Sequence, residues 1–370
     1  MLAERVAIIG VGLIGGSLGL RWRRSGTVAR VVGFGRDEDR LRRAEEVGAI
    51  HHGSTDLREA LEGADLVVLA APIQTCIALA PRVVSLAAPG CIITDVGSTK
   101  REITAAMCSA LEAAHPPETW FLGGHPMAGS ERSGVEAADP YLFEQAVWAL
   151  CPTEQTPDSV VDRVSALVRS TGAHPVLMDC AMHDRRVAAV SHVPQLVAVA
   201  LAEATGRAAI ADAELLALAG GGFRDTTRIA SSPAEMWLDV LETNRDEVVR
   251  GVERIELVLA ALKQAVADAD RASIRRHFAA AGETRRQIPL RQKGLLPAYH
   301  DLVLYVPDRP GVIGTLAQAL GERSINIQDI EILRLREGEG GTLRLGFATA
   351  ELASAAQGVL ADLGYLVQRR

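Results

Sequence analysis

The chain has 370 residues, 48% of them apolar and 23% charged, a globular composition large enough for more than one core and unlike that of a disordered or fibrous chain. Its formal charge of −7, with arginines interleaved among Asp and Glu, lacks the concentrated basic surface that phosphate-backbone binding needs, so no nucleic-acid partner is expected. Five scattered cysteines (Cys76, Cys91, Cys108, Cys151 and Cys180) form no Cys-x-x-Cys pair, and no two histidines stand at metal-ligand spacing; reduced core thiols and no metal site are expected.

The N-terminus, MLAERVAIIG, has no basic region ahead of a long apolar stretch and reads as a first strand rather than a signal peptide. The most apolar region, 64–93, is broken by Pro72, Pro81 and Pro89, short of the roughly 20 continuous residues of a membrane span. A cytoplasmic protein without a membrane partner is expected. Over residues 1–179 the β-branched runs RVAIIG, RVVGF, DLVVLAAP, CIITDVG, AVWALCP and HPVLMD alternate with amphipathic stretches. That is the pattern of an α/β fold, a parallel sheet covered by helices.

Directly after the first strand stands Gly10-Val11-Gly12-Leu13-Ile14-Gly15, running into an apolar-periodic helix. A tight turn at Gly10, a close pyrophosphate approach at Gly12 and helix–strand packing at Gly15 are what a Rossmann-type dinucleotide site requires, with the amides of Leu13, Ile14 and Gly15 at the helix N-terminus. The second strand ends VVGFGRDED, where such folds often place an acid on the adenine ribose. Gly35 occupies that place here; Arg36 could hold a 2′-phosphate, Asp37 could reach the ribose, or Asp37 could simply cap the next helix. Ala71 and Pro72, ending the DLVVLAAP strand, complete the expected cofactor contacts, and NAD and NADP both stay open.

The next strand runs CIITDVG into Ser98-Thr99-Lys100-Arg101-Glu102. A capping box from Thr99 to Glu102 would leave Ser98 free at a strand's carboxyl end, where ligands bind in open α/β sheets; otherwise Ser98 is itself the cap. In GGHPMAGSE, His125 sits between glycines and a proline, a stiff loop with little bulk around an imidazole able to exchange a proton near neutral pH.

Residues 180–290 turn Ala-, Leu- and Glu-rich and read as an all-helical domain. Asp184, Ala188, Ser191 and Gln195 recur at one-face spacing and make a polar stripe facing either a cleft or solvent, while His183 and His192 fall off it as capping or packing groups. Pro194 should kink the helix. Behind Gly220-Gly221-Gly222, Arg224 and Arg228 stand four apart, able to meet one carboxylate from a helix face. In QIPLRQKGLLPAYH two prolines and a glycine interrupt any pattern, and residues 291–300 read as a linker. Residues 301–370 then repeat strand, helix, strand, hairpin, strand, helix, strand, a compact βαββαβ unit.

Taken in order, GVGLIGGSLG, DVGSTK, GGHPMAGSERSG, HDRRVAAVSHVPQL and GGGFRDTTRIA resemble the prephenate dehydrogenase family over residues 6–290, and VPDRPGVIG with SINIQDIEI looks like an ACT domain. The resemblance implies an NAD- or NADP-dependent oxidative decarboxylation of prephenate in tyrosine biosynthesis, without metal. It implies that His125 takes the ring hydroxyl's proton and that Ser98 orients His125 and the cofactor. Arg228 would bind a substrate carboxylate, with Asp184, Glu131 and Trp237 as a polar gate and Ser130 and Arg224 as further contacts. Gln195 stands where some relatives carry a histidine, which leaves arogenate open as an alternative substrate. A homodimer through the helical domain is implied, and a tyrosine site in the last domain at Asp308, Pro310, Gly311, Val312 and Asn326. A non-catalytic sensor of dinucleotide and amino acid is the competing reading.

Overall fold

The computed structural model describes residues 1–369 apart from 130–131, 213, 289–299, 308 and 337–339. The chain divides into two compact units, Met1–Gly294 and Leu295–Arg370. In the first, strands and helices alternate as β1 (Ala3–Ile9), α1 (Leu13–Ser25), β2 (Val28–Phe34), α2 (Glu38–Glu46), β3 (His52–Ser54), α3 (Leu57–Leu61), β4 (Leu66–Leu69), α4 (Ile73–Leu86), β5 (Ile92–Asp95), α5 (Arg101–Ala114), β6 (Trp120–Pro126), β7 (Val147–Cys151), α6 (Asp158–Ser170) and β8 (His174–Leu177). The eight strands form one sheet in the order β3-β2-β1-β4-β5-β6-β7-β8. Side chains alternate across β1: Val6 and Ile8 enter one core with Leu18, Val31 and Trp148, while Ala7 and Ile9 enter the other with Val67, Val83, Ile103 and Met107. Helices cover both faces, which is why the strand reads as an unbroken apolar run, and Ile8 and Ile9 each contribute roughly 1.5–3 kcal/mol by burial. From β1 the chain winds outward to β2 and β3, then returns to β4 on the other side. This reversal opens a crevice at the carboxyl ends of β1 and β4.

Two features depart from the sequence reading. The sheet is not wholly parallel, since β6 and β7 run antiparallel with His125 opposite Ala149. And the GGHP segment is no loop but the end of β6, its glycines serving close packing: a Cβ on Gly124 would lie 2.6 Å from the Asp95 carbonyl oxygen and 2.9 Å from Trp148 Nε1.

The helical part contains α7 (Cys180–Val187), a π turn (Ala188–His192), α8 (Val193–Ala209), α9 (Gly221–Thr227), a 3₁₀ turn (Arg228–Ser231), α10 (Ala234–Thr243), α11 (Arg245–Ala267) and α12 (Arg271–Gln287). The π turn meets Pro194: the Val193 amide donates to the Ala188 carbonyl five residues back, and the wider turn accommodates the missing proline N–H. It also breaks the expected polar stripe, because Ser191 is exposed while Asp184, His192 and Gln195 are buried. The helical run Cys180–Ala209 is, by length and composition, apolar enough to cross a membrane, which the expectation drawn from residues 64–93 overlooked. Its N-terminal turns carry His183, Asp184, Arg185 and Arg186, and Asp184 is bonded into the first domain. Apolar side chains stay exposed along the outer helices, among them Val197 and Leu201 of α8 and Ile255, Leu257 and Leu259 of α11.

The second unit is β9 (His300–Val306), α13 (Val312–Glu322), β10 (Asp329–Arg336), β11 (Gly340–Phe347), α14 (Ala350–Asp362) and β12 (Val367–Arg369), with sheet order β10-β11-β9-β12. One sheet face and both helices enclose a core of Leu302, Leu304, Leu316, Leu345, Phe347 and Leu360.

Candidate active site

The crevice at the switch point is a cavity of about 1140 Å³ lined by Gly10, Gly12, Gly35, Arg36, Asp37, Ala71 and Pro72 together with Arg40, Arg43 and Arg82. Gly10 has φ +96°, and a Cβ there would sit 2.7 Å from the Ala70 carbonyl oxygen, so the turn admits only glycine. A Cβ on Gly15 would lie 2.2 Å from the Gly10 carbonyl oxygen, which fixes how closely α1 packs on the turn. At Gly12, by contrast, nothing lies within 4 Å of a would-be Cβ, leaving open space where backbone can meet a ligand. Gly12 is the N-cap of α1 and supplies no side-chain cap, so the first-turn amides, Leu13, Ile14 and Gly15 included, face the crevice end of the helix without intrahelical partners. The cradle fits a pyrophosphate. Asp37 caps α2 by accepting from the Arg40 amide at 3.1 Å, the capping role that the sequence allowed, and still lines the cavity.

Past the carboxyl end of β5 a second cluster forms. Lys100 and Asp95 make an ion pair with no solvent exposure on either side chain. The Asp95 carboxylate also accepts the Gly97 amide at 2.8 Å and the Gly124 amide at 3.0 Å, tying β5 to β6 one residue before His125. His125 is only half-buried, and its Nδ1 lies 2.9 Å from Nε2 of the buried His183. His183 Nδ1 in turn lies 2.8 Å from Asp184 Oδ1. Burial holds the His125 imidazole well below the usual histidine range, and His183, Lys100 and His192 push it the same way. Burial alone would raise the Asp184 carboxyl, but hydrogen bonds from His183 and from the Arg101 and Lys100 amides hold it below the usual carboxylate range. His192 is pushed down to about 4, chiefly by burial.

Three expectations are corrected here. No Thr99–Glu102 capping box forms: α5 starts at Arg101, and its N-terminal amides are capped by Asp184, which accepts from Lys100 N at 2.7 Å and Arg101 N at 3.0 Å. Thr99 bonds Thr243 instead. Asp184 is fully buried and spends both oxygens on these donors, so it is no member of an open polar gate. His183, read from helical spacing as a capping or packing group, is the hydrogen-bond partner of His125, while Ser98 is half-buried at the β5 end and outside the dinucleotide cavity.

Arg224 lies on α9 and Arg228 begins the following 3₁₀ turn; both are exposed, and they share no single helix. Gln195 is buried, and its Nε2 donates to the Ile229 carbonyl at 2.9 Å, anchoring the segment that carries Arg228. Trp237 packs edge-on against His192, and among the described residues its buried Nε1 has no partner. Ser130, Glu131 and Asp308 lie outside the described residues. In the second unit Gly311, at φ +89°, is the N-cap of α13, Pro310 and Asn326 are exposed, and the Val312 side chain belongs to the core, leaving only its backbone for a ligand.

Family models match in the same order: prephenate dehydrogenase, nucleotide-binding domain, over residues 18–177; prephenate dehydrogenase, dimerization domain, over 179–280; and ACT domain over 300–353. The chain is 35% identical to the prephenate dehydrogenase of Bacillus subtilis (strain 168) across 94% of its own length and 92% of that protein's. Among solved structures it resembles prephenate dehydrogenase from A. aeolicus in complex with hydroxyphenyl propionate and NAD+, at TM-score 0.71 and 30% identity over 77% of this chain and 98% of that one. It also resembles Synechocystis arogenate dehydrogenase, at TM-score 0.67 and 27% identity over 77% of this chain and 100% of that one. With the glycine cradle, the histidine pair and these matches in register along the chain, this protein belongs to the prephenate dehydrogenase family.

Proposed function

We propose that the chain is a prephenate dehydrogenase, converting prephenate to 4-hydroxyphenylpyruvate and carbon dioxide. The observation that carries the reading is His125, half-buried, with Nδ1 taken by His183 and, among the described residues, no partner on Nε2. A proton acceptor with that geometry suits the ring hydroxyl of prephenate. As the hydroxyl becomes a carbonyl, His125 Nε2 receives its proton; loss of carbon dioxide then aromatises the ring. The dinucleotide, held by Gly10, Gly12, the α1 amides, Ala71 and Pro72, supplies the two-electron acceptor. Arg228 binds a substrate carboxylate, with Ser98, Ser130, Glu131, Arg224 and Trp237 as further contacts at the mouth.

Gly35 leaves the end of the second strand without an acid, and Arg36, Arg40, Arg43 and Arg82 line the cavity beside Asp37, Asp56 and Glu136, of which Asp37 pairs with Arg40 and Glu136 with Arg43. We infer that a 2′-phosphate is accommodated there, so NADP is used alongside NAD. Steady-state assays with prephenate and arogenate, each with NAD and NADP, test the whole reading. Prephenate turnover with kcat/KM for NADP within about tenfold of that for NAD is expected, a difference of roughly 1.4 kcal/mol. Turnover of arogenate alone would reassign the substrate, and turnover of neither would leave the sensor reading. Arg228→Ala should raise KM for prephenate about tenfold or more through loss of a charge-assisted carboxylate contact, with NAD affinity unchanged; unaltered prephenate kinetics would remove Arg228 from the site.

The exposed apolar side chains of α8 and α11, with the match to a dimerization domain, support a homodimer through the helical part. For the second unit we propose a tyrosine site at the Gly311 turn, where α13 begins with unpaired amides suited to an amino-acid carboxylate. Deleting residues 301–370 should leave prephenate turnover in place and abolish inhibition by tyrosine. Equal tyrosine sensitivity in the truncated and full-length enzymes would move the inhibitor to the catalytic cleft.

A further inference from the structure

The His125–His183–Asp184 contacts have a direction. An ionised carboxylate can only accept, so His183 Nδ1 carries the hydrogen that bridges to Asp184 Oδ1 at 2.8 Å. When His183 carries only that hydrogen, its Nε2 presents a lone pair, and the 2.9 Å contact is then filled by an Nδ1–H of His125. That leaves the His125 lone pair on Nε2. The ordinary tautomer of a neutral histidine in water carries its hydrogen on Nε2 and would point the wrong atom at a substrate. Asp184 can hold this direction because the Lys100 and Arg101 amides fix its carboxylate at the start of α5.

We propose that His183 is a positioning residue for the reaction: backed by Asp184, it locks His125 in the Nδ1–H tautomer and accepts part of the positive charge that His125 gains with the substrate's proton. When His125 Nε2 is protonated, its Nδ1 proton can pass to His183 Nε2. His125 is then neutral again, and the imidazolium sits on His183 against the Asp184 carboxylate. An unpaired cation among these groups would be poorly solvated, and the carboxylate offsets that cost. The other charged or titratable groups facing the pair are Lys100, Arg101 and Asp95 at the β5–α5 junction and His192, whose Nδ1 is 3.3 Å from Asn244 Nδ2. Lys100 and Asp95 neutralise one another, and Asp184, whose Oδ2 also meets the partly exposed Arg101 guanidinium at 3.4 Å, is the carboxylate in direct contact with the histidines.

The inference rests on His125 being the base, and the test separates the two. His183→Gln can still accept from His125 Nδ1 but cannot carry a proton's charge; His183→Leu can do neither. The expected order of kcat is wild type, then Gln, then Leu, with Leu down about 10²-fold or more, below the roughly 10⁴-fold loss caused by a wrong tautomer in triad hydrolases. KM for prephenate and affinity for NAD should stay within about twofold, which a collapsed site would not allow. In an His125→Asn background, His183→Leu should cost nothing further. Wild-type kcat in His183→Leu, with His125→Asn inactive, would overturn the relay and keep the base; an active His125→Asn enzyme would overturn both. Should the position-183 variants misfold, ¹⁵N-histidine NMR of the wild-type enzyme decides: Nδ1–H on both His125 and His183 is expected, and Nε2–H on His125 refutes the proposal.

Discussion

Replacing His125 with Asn is expected to lower kcat by about 10²–10⁴-fold, the usual contribution of a positioned general base, while NAD binding changes little. The side chain ends β6 beyond the dinucleotide cavity, so shortening it leaves the glycine cradle untouched. Asn keeps a polar group near His183 but puts nothing where Nε2 stands. Burial and the neighbouring His183, Lys100 and His192 hold this imidazole below its ordinary value of 6.5. It is therefore the neutral, proton-accepting form at neutral pH, and the acid limb of kcat/KM in the wild-type enzyme should lie below pH 6.5, where protonation removes the base. A variant with near-normal kcat, or an acid limb well above 6.5, would show that another group takes the proton.

What the sequence made legible followed from local rules. The glycine loop could be read because its turn, its open Gly12 and its Gly15 contact each need a missing Cβ at fixed spacing after a strand. The βαββαβ order of the second unit could be read because its apolar runs change period at Gly and Pro. The histidine pair could not. Gly-Gly-His-Pro carries loop composition, and only the approach of Asp95 and Trp148 to Gly124 explains glycine inside β6. His183 precedes the π turn, and spacing along its own helix carries no information about β6, whose His125 it meets across 58 residues of sequence. Its adjacent His-Asp dipeptide in an apolar helix was the one local signal. The Asp184 cap on α5 joins residues 83 and 84 apart in sequence, a distance no capping-box rule spans.

Lys100→Met is expected to destabilise the first unit by about 3–5 kcal/mol, because it leaves the buried Asp95 carboxylate without its cation. Both side chains are fully excluded from solvent, so water cannot replace the lost partner. Two backbone amides would remain on Asp95, from Gly97 and Gly124, and they satisfy hydrogen-bonding capacity without neutralising a full charge. In calorimetry this corresponds to a melting temperature lower by on the order of 10 °C for a unit of this size. The consequence reaches the chemistry through position: Asp95 holds Gly124, and any relaxation of that carboxylate toward water moves the strand end that carries His125. Turnover should therefore fall even below the melting transition, with NAD affinity less affected, because the cradle at Gly10 and Gly12 belongs to the β1 turn. Adding Asp95→Asn to Lys100→Met removes the stranded charge and should recover part of the stability, so the double variant is less damaged than the sum of the two single ones. A Lys100→Met enzyme melting at the wild-type temperature would mean the carboxylate is hydrated or protonated without cost, and the ion pair would lose its place as the clamp between β5 and β6.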